Sequence, residues 1–362
     1  MSIVIFIVVI VVLIVVHEFG HFVVAKLSGM RVDEFGLGYP PRALTVAKVG
    51  ETEYTLNWLP FGGFVKIYGE NGGETGPRAF SARPRILQAL VLVAGVAMNL
   101  LFAYILITGA LVLGTPRALS DSELAGAHDQ QLAVADVLPG SPASIAGILP
   151  GDSIVSASDS KGQWHAVDPK SFTTFINASH GAAVTIDIQR NGAEQHVTAT
   201  PAAGVAASDP SRYALGVQVA TIGVVPLSFG AAIIEGASLT WGSLVLTAQG
   251  LLHFFYGIFT FSADLSQVAG PVGIAGAVGS ASAQGFGNLL SIMAIISINL
   301  ALINLIPVPA LDGGRLLFVI IESVIRRPIK ASIANAINAV GFVFLILLMV
   351  VVTAHDIFKI VS

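Results

Sequence analysis

An unbroken apolar run, Ile3 to Val16, leads directly into the pentad His17-Glu18-Phe19-Gly20-His21. Continued to about Lys26, this segment is long enough to cross a bilayer as an α-helix. Ionisable side chains are costly at that depth and are retained mainly where they have a function. The possible folds are therefore those that bury two imidazoles and a carboxylate within a helical membrane domain.

A His-Glu-x-x-His pentad on a helix places two imidazoles one turn apart on one face, with a carboxylate beside them. This arrangement suits two zinc ligands, His17 and His21, and a general base, Glu18. Catalytic zinc takes three protein ligands and keeps one position open. Because the chain has no cysteine, the third ligand has to be His, Asp or Glu.

The best candidate for the third ligand is Asp312, which follows a later apolar segment in the string Asn304-Leu305-Ile306-Pro307-Val308-Pro309-Ala310-Leu311-Asp312-Gly313-Gly314. The two prolines remove backbone donors and end the helix, and we expect the Gly-Gly pair to allow a tight turn. The sequence therefore predicts one zinc ion held by His17, His21 and Asp312. Asn304 is well placed in sequence to hold an exposed substrate backbone.

Composition agrees with a membrane protein. The chain is 54% hydrophobic and only 11% charged, whereas soluble domains have about 25% charged residues. The net charge of -4 and the lack of a basic stripe argue against nucleic acid as a partner.

We expect the first apolar run to be retained rather than cleaved as a signal peptide. No basic residue precedes it, and no small-x-small site follows Val16.

The fold class predicted is a polytopic α-helical membrane protein with about four transmembrane helices. Besides the first segment, the predicted spans are Ile86–Leu113, Leu289–Ile306 and Ala336–Thr353. The segment from Phe229 to Phe261 is less apolar and is interrupted by polar residues. We interpret it as an amphipathic helix on the membrane surface, with a fifth span as the alternative.

The basic residues predict the orientation. The first loop carries eight Lys or Arg between Lys26 and Arg85, and the third loop has four more, from Arg315 to Lys330. The long second loop has only five. By the positive-inside rule, the first and third loops are cytoplasmic and the second lies outside.

At 1.5 Å per residue, His17 lies about 21 Å along the first helix. The zinc would then lie about 10 Å below the cytoplasmic face of a core about 30 Å thick.

Both long loops contain predicted strands. In the first, Ala43–Val49 and Glu53–Trp58 alternate as a hairpin, and the glycine-rich stretch Phe61–Lys66 suggests a hairpin that dips toward the bilayer. In the second, strands at Val184–Gln189 and Glu194–Thr200 flank an Asn191-Gly192 turn.

The second loop also has predicted short helices, one ending near Gly147 and one at Ser171–Ile176, with a strand starting near Ile154. This order, with its Pro-Gly-Ser-Pro-Ala and Leu-x-x-Gly-Asp-x-Ile strings, resembles a PDZ domain of the bacterial protease type. Such domains take extended peptide by β-augmentation. No clear carboxylate-binding loop precedes Leu132, so the sequence does not support capture of a C-terminus.

The predicted division of the chain has seven parts. They are the first transmembrane helix (1–27), the hairpin region on the cytoplasmic side (28–85), the second transmembrane helix (86–113), the α+β PDZ domain (118–205), an amphipathic helix with a glycine-rich linker (206–287), the third transmembrane helix with its motif and a short helix (288–335), and the fourth transmembrane helix (336–356). Within the linker, Gly270–Gly276 is expected to be a loop or a sheet edge.

Taken together, these motifs resemble the site-2 protease family of intramembrane zinc metalloproteases. The resemblance rests on the His-Glu-Phe-Gly-His string, the stretch Pro60–Lys66, Gly95-x-x-x-Asn99 and the Asn-x-x-Pro-x-Pro-x-Leu-Asp-Gly string. The single PDZ domain resembles the bacterial branch that includes regulator-of-sigma-E proteases. The resemblance covers essentially the whole chain.

The resemblance implies a multi-pass protein of the bacterial inner membrane, with its PDZ domain outside and its active site near the cytoplasmic side. It implies cleavage of single-pass membrane proteins such as anti-sigma factors, and of remnant signal peptides, after an outside site-1 type protease has shortened them. It also implies the roles of the matching residues: His17, His21 and Asp312 as ligands, Glu18 as base, and Asn304 in substrate binding.

Two other classes of function remain alternatives. One is a non-catalytic membrane adaptor that presents its PDZ domain, against which the intact metal set argues. The other is a zinc transporter, which would need ligands across the membrane that the other spans do not provide. Asn99 and Asn299 are interpreted as interhelical hydrogen-bonding residues, the usual role of amides in such helices.

Overall fold

A computed structural model describes residues 2–70, 76–120, 123–190, 192–206, 209–225, 227–260 and 269–361. The chain divides into two compact units. The first joins Met1–Leu113 with Phe229–Ser362, and the second is Gly114–Ser228.

The helices of the described residues are α1 (Ser2–Leu27), α2 (Arg85–Val112), α3 (Pro142–Ile145), α4 (Pro169–Ala178), α5 (Phe229–Phe259), α6 (Pro271–Gln284), α7 (Phe286–Leu305), α8 (Asp312–Ile325) and α9 (Ala331–Val361). The strands are β1 (Val32–Val49), β2 (Thr52–Ile67), β3 (Arg117–Ala118), β4 (His128–Val137), β5 (Ser153–Asp159), β6 (Gly162–Trp164), β7 (Val184–Arg190), β8 (Ala193–Ala199) and β9 (Val217–Val224).

Five helices of the first unit are long and apolar enough to cross a membrane within the residues described. They are Ser2–Leu27, Arg85–Val112, Phe229–Ile258, Phe286–Leu305 and Ser332–Phe358. Four of them match the spans predicted from sequence. The count of four is not confirmed, because α5 also meets the criteria of length and hydropathy. The mean hydropathy of its most apolar 18-residue window is 1.4, the lowest of the five.

The first two spanning helices pack unusually closely at Gly20. A Cβ atom at Gly20 would lie 2.4 Å from the carbonyl oxygen of Ala94 on α2, so only glycine allows this approach. Pro84 precedes α2 as its N-cap, and Gly114, with φ +72°, follows its C-cap Leu113. This is the residue type that most readily takes a left-handed conformation after a helix. The contact at Gly20 brings the end of the pentad against the middle of α2.

The loop between these helices forms the antiparallel hairpin β1–β2, which turns at Gly50 and Glu51. Both strands are longer than the sequence predicted. The stretch Phe61–Lys66, which follows the predicted second strand, belongs to β2 itself. The glycines of this stretch allow the backbone of β2 to lie close to neighbouring groups. A Cβ atom at Gly63 would lie 3.6 Å from Cγ of Glu18. The hairpin therefore passes directly beside the pentad.

The second unit is a seven-stranded antiparallel sheet with the order β3-β9-β4-β5-β7-β8, to which β6 adds beside β5. Its core includes Leu132, Phe172, Ile176 and Ile186, all nearly inaccessible. The predicted hairpin strands are confirmed as β7 and β8, which pair in register from Val184–Ala199 to Arg190–Ala193. Asn191 of the predicted turn lies outside the described residues.

The Leu-x-x-Gly-Asp string of this unit has a structural role. Asp152, 1% exposed, accepts hydrogen bonds from Arg190 through both carboxylate oxygens, at 2.7 and 2.6 Å, and from the backbone N–H of Leu149. Arg190 also donates to the carbonyl of Gly147. The buried pair therefore joins the turn before β5 to the end of β7.

The two short helices predicted for this unit are found at α3 and α4, and Asp168 is the N-cap of α4.

The glycine-rich segment that follows α5 differs from its prediction. Gly270–Gly276 was expected to be a loop or a sheet edge, but Gly270 is the N-cap of α6 and the remaining residues are helical. Pro271 at the first helical position favours a helix start. Asp356 of α9 accepts hydrogen bonds from the backbone N–H groups of Gly270 and Gly273 at 3.2 and 2.8 Å. This contact from a distant helix was not visible in the local sequence.

Candidate metal centre

The pentad places its histidines as the helical period requires. His17 and His21 lie in the last three turns of α1, both buried, with exposures of 6% and 7%. Their ring centroids are 4.8 Å apart and their ring planes nearly perpendicular. The two Nε2 atoms approach to 3.2 Å. Both rings therefore present the same kind of ligand atom to one point.

Asp312 completes this cluster from the first residue of α8. Its Oδ2 atom lies 2.9 Å from Nε2 of His17 and 3.1 Å from Nε2 of His21. The ligand atoms of all three residues lie within 4.8 Å of one another. The three predicted ligands are therefore brought together. Among the residues described, no other group of three His, Asp or Glu side chains converges in this way.

The geometry of the three atoms fits a zinc ion. Zinc bonds to imidazole nitrogen and carboxylate oxygen are about 2.0–2.2 Å long, and a tetrahedral centre with such bonds separates its ligands by about 3.3 Å. The observed separations of 2.9, 3.1 and 3.2 Å are close to that value. Two nitrogens and one oxygen are also a donor set that zinc accepts with an open fourth position.

Two groups of α2 orient the imidazoles. Nδ1 of His21 lies 2.7 Å from the carbonyl oxygen of Val91. Because a carbonyl only accepts, Nδ1 carries the proton and leaves Nε2 free to bind a metal. The side-chain amide of Asn99 lies 3.2 Å from Nδ1 of His17, and Ser297 donates to the backbone carbonyl of Asn99 at 2.8 Å. The structure turns the amide nitrogen of Asn99 toward Nδ1. A histidine that binds metal through Nε2 donates from Nδ1, so a half-turn of the amide about its Cβ–Cγ bond would present the oxygen as acceptor in that state.

Gly95 leaves room for the ligand atoms. A Cβ atom at this position would lie 2.5 Å from Nε2 of His21 and 2.8 Å from Nε2 of His17. These distances are too short for any side chain, so α2 forms one wall of the centre through bare backbone. The sequence drew attention to Gly95 only as part of a family motif, but it also predicted Asn99 as an interhelical hydrogen-bonding residue, which the contact with His17 confirms. Their contacts with the histidines explain why both residue types are needed.

The segment before Asp312 is held by close backbone packing. Helix α7 ends at Leu305, as the following prolines predicted. The Gly-Gly pair acts differently from the prediction, because Gly313 and Gly314 lie in the first turn of α8 rather than in a tight turn of positive φ. Cβ atoms there would lie 2.3 Å from the carbonyl oxygens of Ile306 and Val308, respectively. The pair therefore lets this segment lie flat against the start of α8.

Glu18 and Asn304 also lie at the centre. Glu18 is half-buried, and its carboxylate accepts a hydrogen bond from the backbone of Val65 on β2. The amide nitrogen of Asn304 lies 3.4 Å from Nε2 of His17. All five predicted site residues thus share one region of the first unit. The amide of Asn299, by contrast, donates to the carbonyl of Ile295 on its own helix.

The charge of Asp312 suits a metal ligand. Burial opposes ionisation of its carboxyl, but in the protein without bound metal, with protons on both histidine Nε2 atoms, the hydrogen bonds from His17 and His21 outweigh burial and hold the pKa of Asp312 well below its ordinary value. The carboxylate is therefore charged across the physiological range. A cation is the partner that compensates such a charge most directly.

Two imidazoles and a carboxylate form a buried set with one side open. Because this set lies among helices apolar enough to span a bilayer, the chain is defined as a membrane protein with a mononuclear metal site. Comparison with known proteins gives its family. Residues 5–348 match the description "Peptidase family M50". The chain is 37% identical over 346 residues to a Clostridium perfringens protein named "Putative zinc metalloprotease CPE1693", with 95% of each chain covered. It is 27% identical over 434 residues to "Zinc metalloprotease RasP" of Oceanobacillus iheyensis, with 96% of each covered.

The chain belongs to peptidase family M50, the site-2 protease family. The predicted resemblance to this family is confirmed, while its single PDZ domain stays a prediction. The protein is a zinc metalloprotease with zinc as its cofactor.

Proposed function

We propose that this protein is an intramembrane endopeptidase that hydrolyses peptide bonds in the transmembrane segments of single-pass membrane proteins. The observation that carries the proposal is the convergence of His17, His21 and Asp312 at bonding geometry among spanning helices. Family membership supports the same chemistry.

Each residue of the centre has a role in the proposed reaction. His17, His21 and Asp312 would hold the ion through Nε2, Nε2 and Oδ2, the atoms that converge in the structure. When bound, zinc supplies Lewis-acid polarisation of the scissile carbonyl and activation of water near neutral pH. The Glu18 carboxylate takes the proton of the attacking water and later delivers it to the leaving amine nitrogen. A helical substrate must unwind first, since its carbonyl is otherwise hydrogen-bonded, and the amide of Asn304 holds the exposed backbone.

Substitution of the proposed base tests this function. Glu18→Gln keeps the shape of the side chain but cannot accept the proton. We expect the variant to retain its zinc and to cleave a single-pass reporter at least about 100-fold more slowly. Glu53→Gln on the hairpin, a partly exposed carboxylate, serves as the control and should cleave normally. Undiminished turnover by Glu18→Gln would exclude the general-base role.

The second unit supports a PDZ-type peptide site. Strand β9 pairs with β3 only at Gly223 and Ile222, so within the described chain Val217–Ala220 has one strand edge without a neighbouring strand. That edge adjoins a cavity of about 220 Å³ lined by Phe172, Thr173, Ile176, Leu215, Gly216 and Val217, among others. A free edge beside an apolar cavity is the arrangement that accepts an extended peptide by β-augmentation.

Filling this groove should block peptide binding. Thr173→Trp places a large ring in the cavity, whereas Thr174→Trp, on the neighbouring exposed position of α4, leaves the cavity unchanged. Fluorescence anisotropy with a labelled extended peptide should show binding at least about tenfold weaker for Thr173→Trp only, a difference of about 1.4 kcal/mol. Equal affinity in both variants would mean that the peptide binds elsewhere.

The orientation follows from the basic loops. We infer a multi-pass protein of the bacterial inner membrane with the second unit outside and the metal centre nearer the cytoplasmic face. Substrates of this class, including anti-sigma factors and remnant signal peptides, would first be shortened by a protease acting outside. The peptide site would then meet the trimmed part of the substrate.

A further inference from the structure

Two ion pairs hold one face of α8, the helix that begins with Asp312. Arg315 is paired with Glu70, which follows β2, and Glu322 is paired with Arg85 at the start of α2, at 2.6 Å. Arg315 and Glu322 are seven residues apart and so lie on the same helix face. Both acidic side chains are largely buried, with exposures of 13% for Glu70 and 15% for Glu322.

Both pairs line a cavity of about 460 Å³ between α2, α8 and the start of α9. Gln88, buried on α2, also faces this cavity and accepts a hydrogen bond from Arg85 at 2.9 Å. Burial raises the pKa of Glu70, while the positive charge of Arg315 opposes that shift. Ion pairs in such enclosed positions are screened less by salt than surface pairs are, so their geometry is held more firmly.

The metal centre needs such a constraint because its ligands come from distant parts of the chain. His17 and His21 share one helix, so the backbone alone sets their spacing. Asp312 is separated from them by 295 and 291 residues, and its position depends on the segment that packs against the first turn of α8 and on the contacts that hold α8 against the other helices. The apolar contact of Val319 with the cluster around Val91 and Leu92 restrains distance, but apolar packing is not directional.

We propose that the Arg315–Glu70 pair is a positioning element that fixes the first turn of α8, so that Oδ2 of Asp312 meets Nε2 of both histidines. Arg315 lies one turn after Asp312, on the part of the helix nearest the ligand. A guanidinium has a rigid, planar set of donors, which sets the rotation of the helix as well as its distance. The Arg85–Glu322 pair fixes the same helix two turns further on. This inference rests on the proposed function of Asp312 as a zinc ligand.

The test measures zinc affinity by competition with a chelator, using the purified full-length chain in detergent. Arg315→Gln and Glu70→Gln should each weaken zinc binding by about 10–100-fold, the usual effect of losing a partner that orients a metal ligand. Arg327→Gln, an exposed arginine just beyond α8, removes the same charge without touching the pair and should bind zinc as tightly as the wild type.

A reciprocal exchange separates position from charge. Glu70→Arg combined with Arg315→Glu rebuilds the pair but reverses the field that it exerts on the metal centre. We expect the double variant to recover most of the zinc affinity that either single variant loses, with unchanged thermal stability of the zinc-free protein. Arg315→Lys should recover part of the affinity, because it keeps the charge without the planar donors.

Three results would overturn the proposal: wild-type zinc affinity in both single variants, no recovery in the exchange variant, or a loss of affinity that only follows a loss of zinc-free stability. The proposed function fails in a different way. A wild-type chain that binds zinc tightly but cleaves no transmembrane reporter would reject proteolysis and leave the positioning role intact.

Discussion

Gly95 is the residue whose missing side chain leaves room for both histidine Nε2 atoms of the metal centre. Its missing Cβ would lie within 2.8 Å of both histidine Nε2 atoms, closer than any van der Waals contact allows. A single methyl group at this position would therefore displace one ring or separate α1 from α2. Glycine is retained here for space, since Gly95 is helical and is not among the residues with positive φ.

We predict that Gly95→Ala lowers zinc affinity by at least about tenfold, with a proportional loss of proteolysis, because displaced rings no longer share one coordination point. Chelator competition on the purified protein measures the affinity. Gly109→Ala is the matched control on the same helix, since its Cβ would meet only Leu290 at 3.5 Å. Equal zinc affinity in the two variants would show that the centre tolerates a side chain at position 95.

The residues of the site differ in how far the sequence could predict them. His17, Glu18 and His21 are related by the helical period alone, so their convergence follows from local sequence. Asp312 could be predicted because an acidic side chain so close to the hydrocarbon is costly unless it binds a cation. The interhelical hydrogen bond of Asn99 was predicted, but its partner His17 and the role of Val91 were not, since both depend on how α2 is rotated against α1. That rotation is set where Gly20 of α1 packs against Ala94 of α2. Contacts between small residues such as these have no distinctive sequence pattern.

Among the helices, the positions of the ligands restrict how α5 and α6 cross the membrane. Helix α1 ends just after its histidines, and α7 ends seven residues before Asp312. Since both approach the metal centre with their C-terminal ends, both start from the same side of the membrane. Helix α2 returns to that side, so the chain from the end of α2 to the start of α7 has to make an even number of crossings.

A single crossing by α5 alone would break this rule, and the contacts of α6 show on which side of the membrane the chain enters α7. With 14 residues, α6 is about 21 Å long, too short to cross a core of about 30 Å. Its Val278 is buried with Val9 and Leu13 in the first half of α1, and a Cβ atom at Gly279 would lie 2.8 Å from Ser2. The end of α6 therefore lies on the side on which α1 and α7 begin.

Cysteine labelling can test this path, because the natural chain has no cysteine. Gln284→Cys at the end of α6 and Ser160→Cys in the second unit should react with a membrane-impermeant maleimide from the same side. Lys48→Cys on the hairpin should react only from the other side. If Gln284→Cys reacted instead from the same side as Lys48→Cys, α5 would cross the membrane completely and the chain would not return before α7.

Sequence patterns predicted the spanning helices and the separate strands well, because long apolar runs and period-two alternation are local signals. They failed where the outcome depended on distant partners. Gly270–Gly276 has the composition of a loop, yet it is helical because Pro271 starts a helix whose first N–H groups are accepted by Asp356. The extended strands β1 and β2 pair with each other over nearly their whole length, which short-range alternation underestimates.

At the scale of the whole molecule, two segments distant in sequence converge at one metal site. Helix α1 brings two ligands from the first 21 residues, and α8 brings the third from position 312. The second unit is inserted between α2 and α5 and contributes none of these ligands. The catalytic fold is therefore formed by residues 1–113 and 229–362 together, and zinc binding reports directly on their association.

Zinc content distinguishes the ligands from the base. It would be measured on purified wild-type, Asp312→Ala and Glu18→Gln chains after dialysis against the same chelator. We predict about one zinc per chain in the wild type and in Glu18→Gln, and strong depletion in Asp312→Ala, since catalytic zinc requires three protein ligands. A full zinc content in Asp312→Ala, or no zinc in the wild type, would show that these three side chains do not hold the catalytic metal.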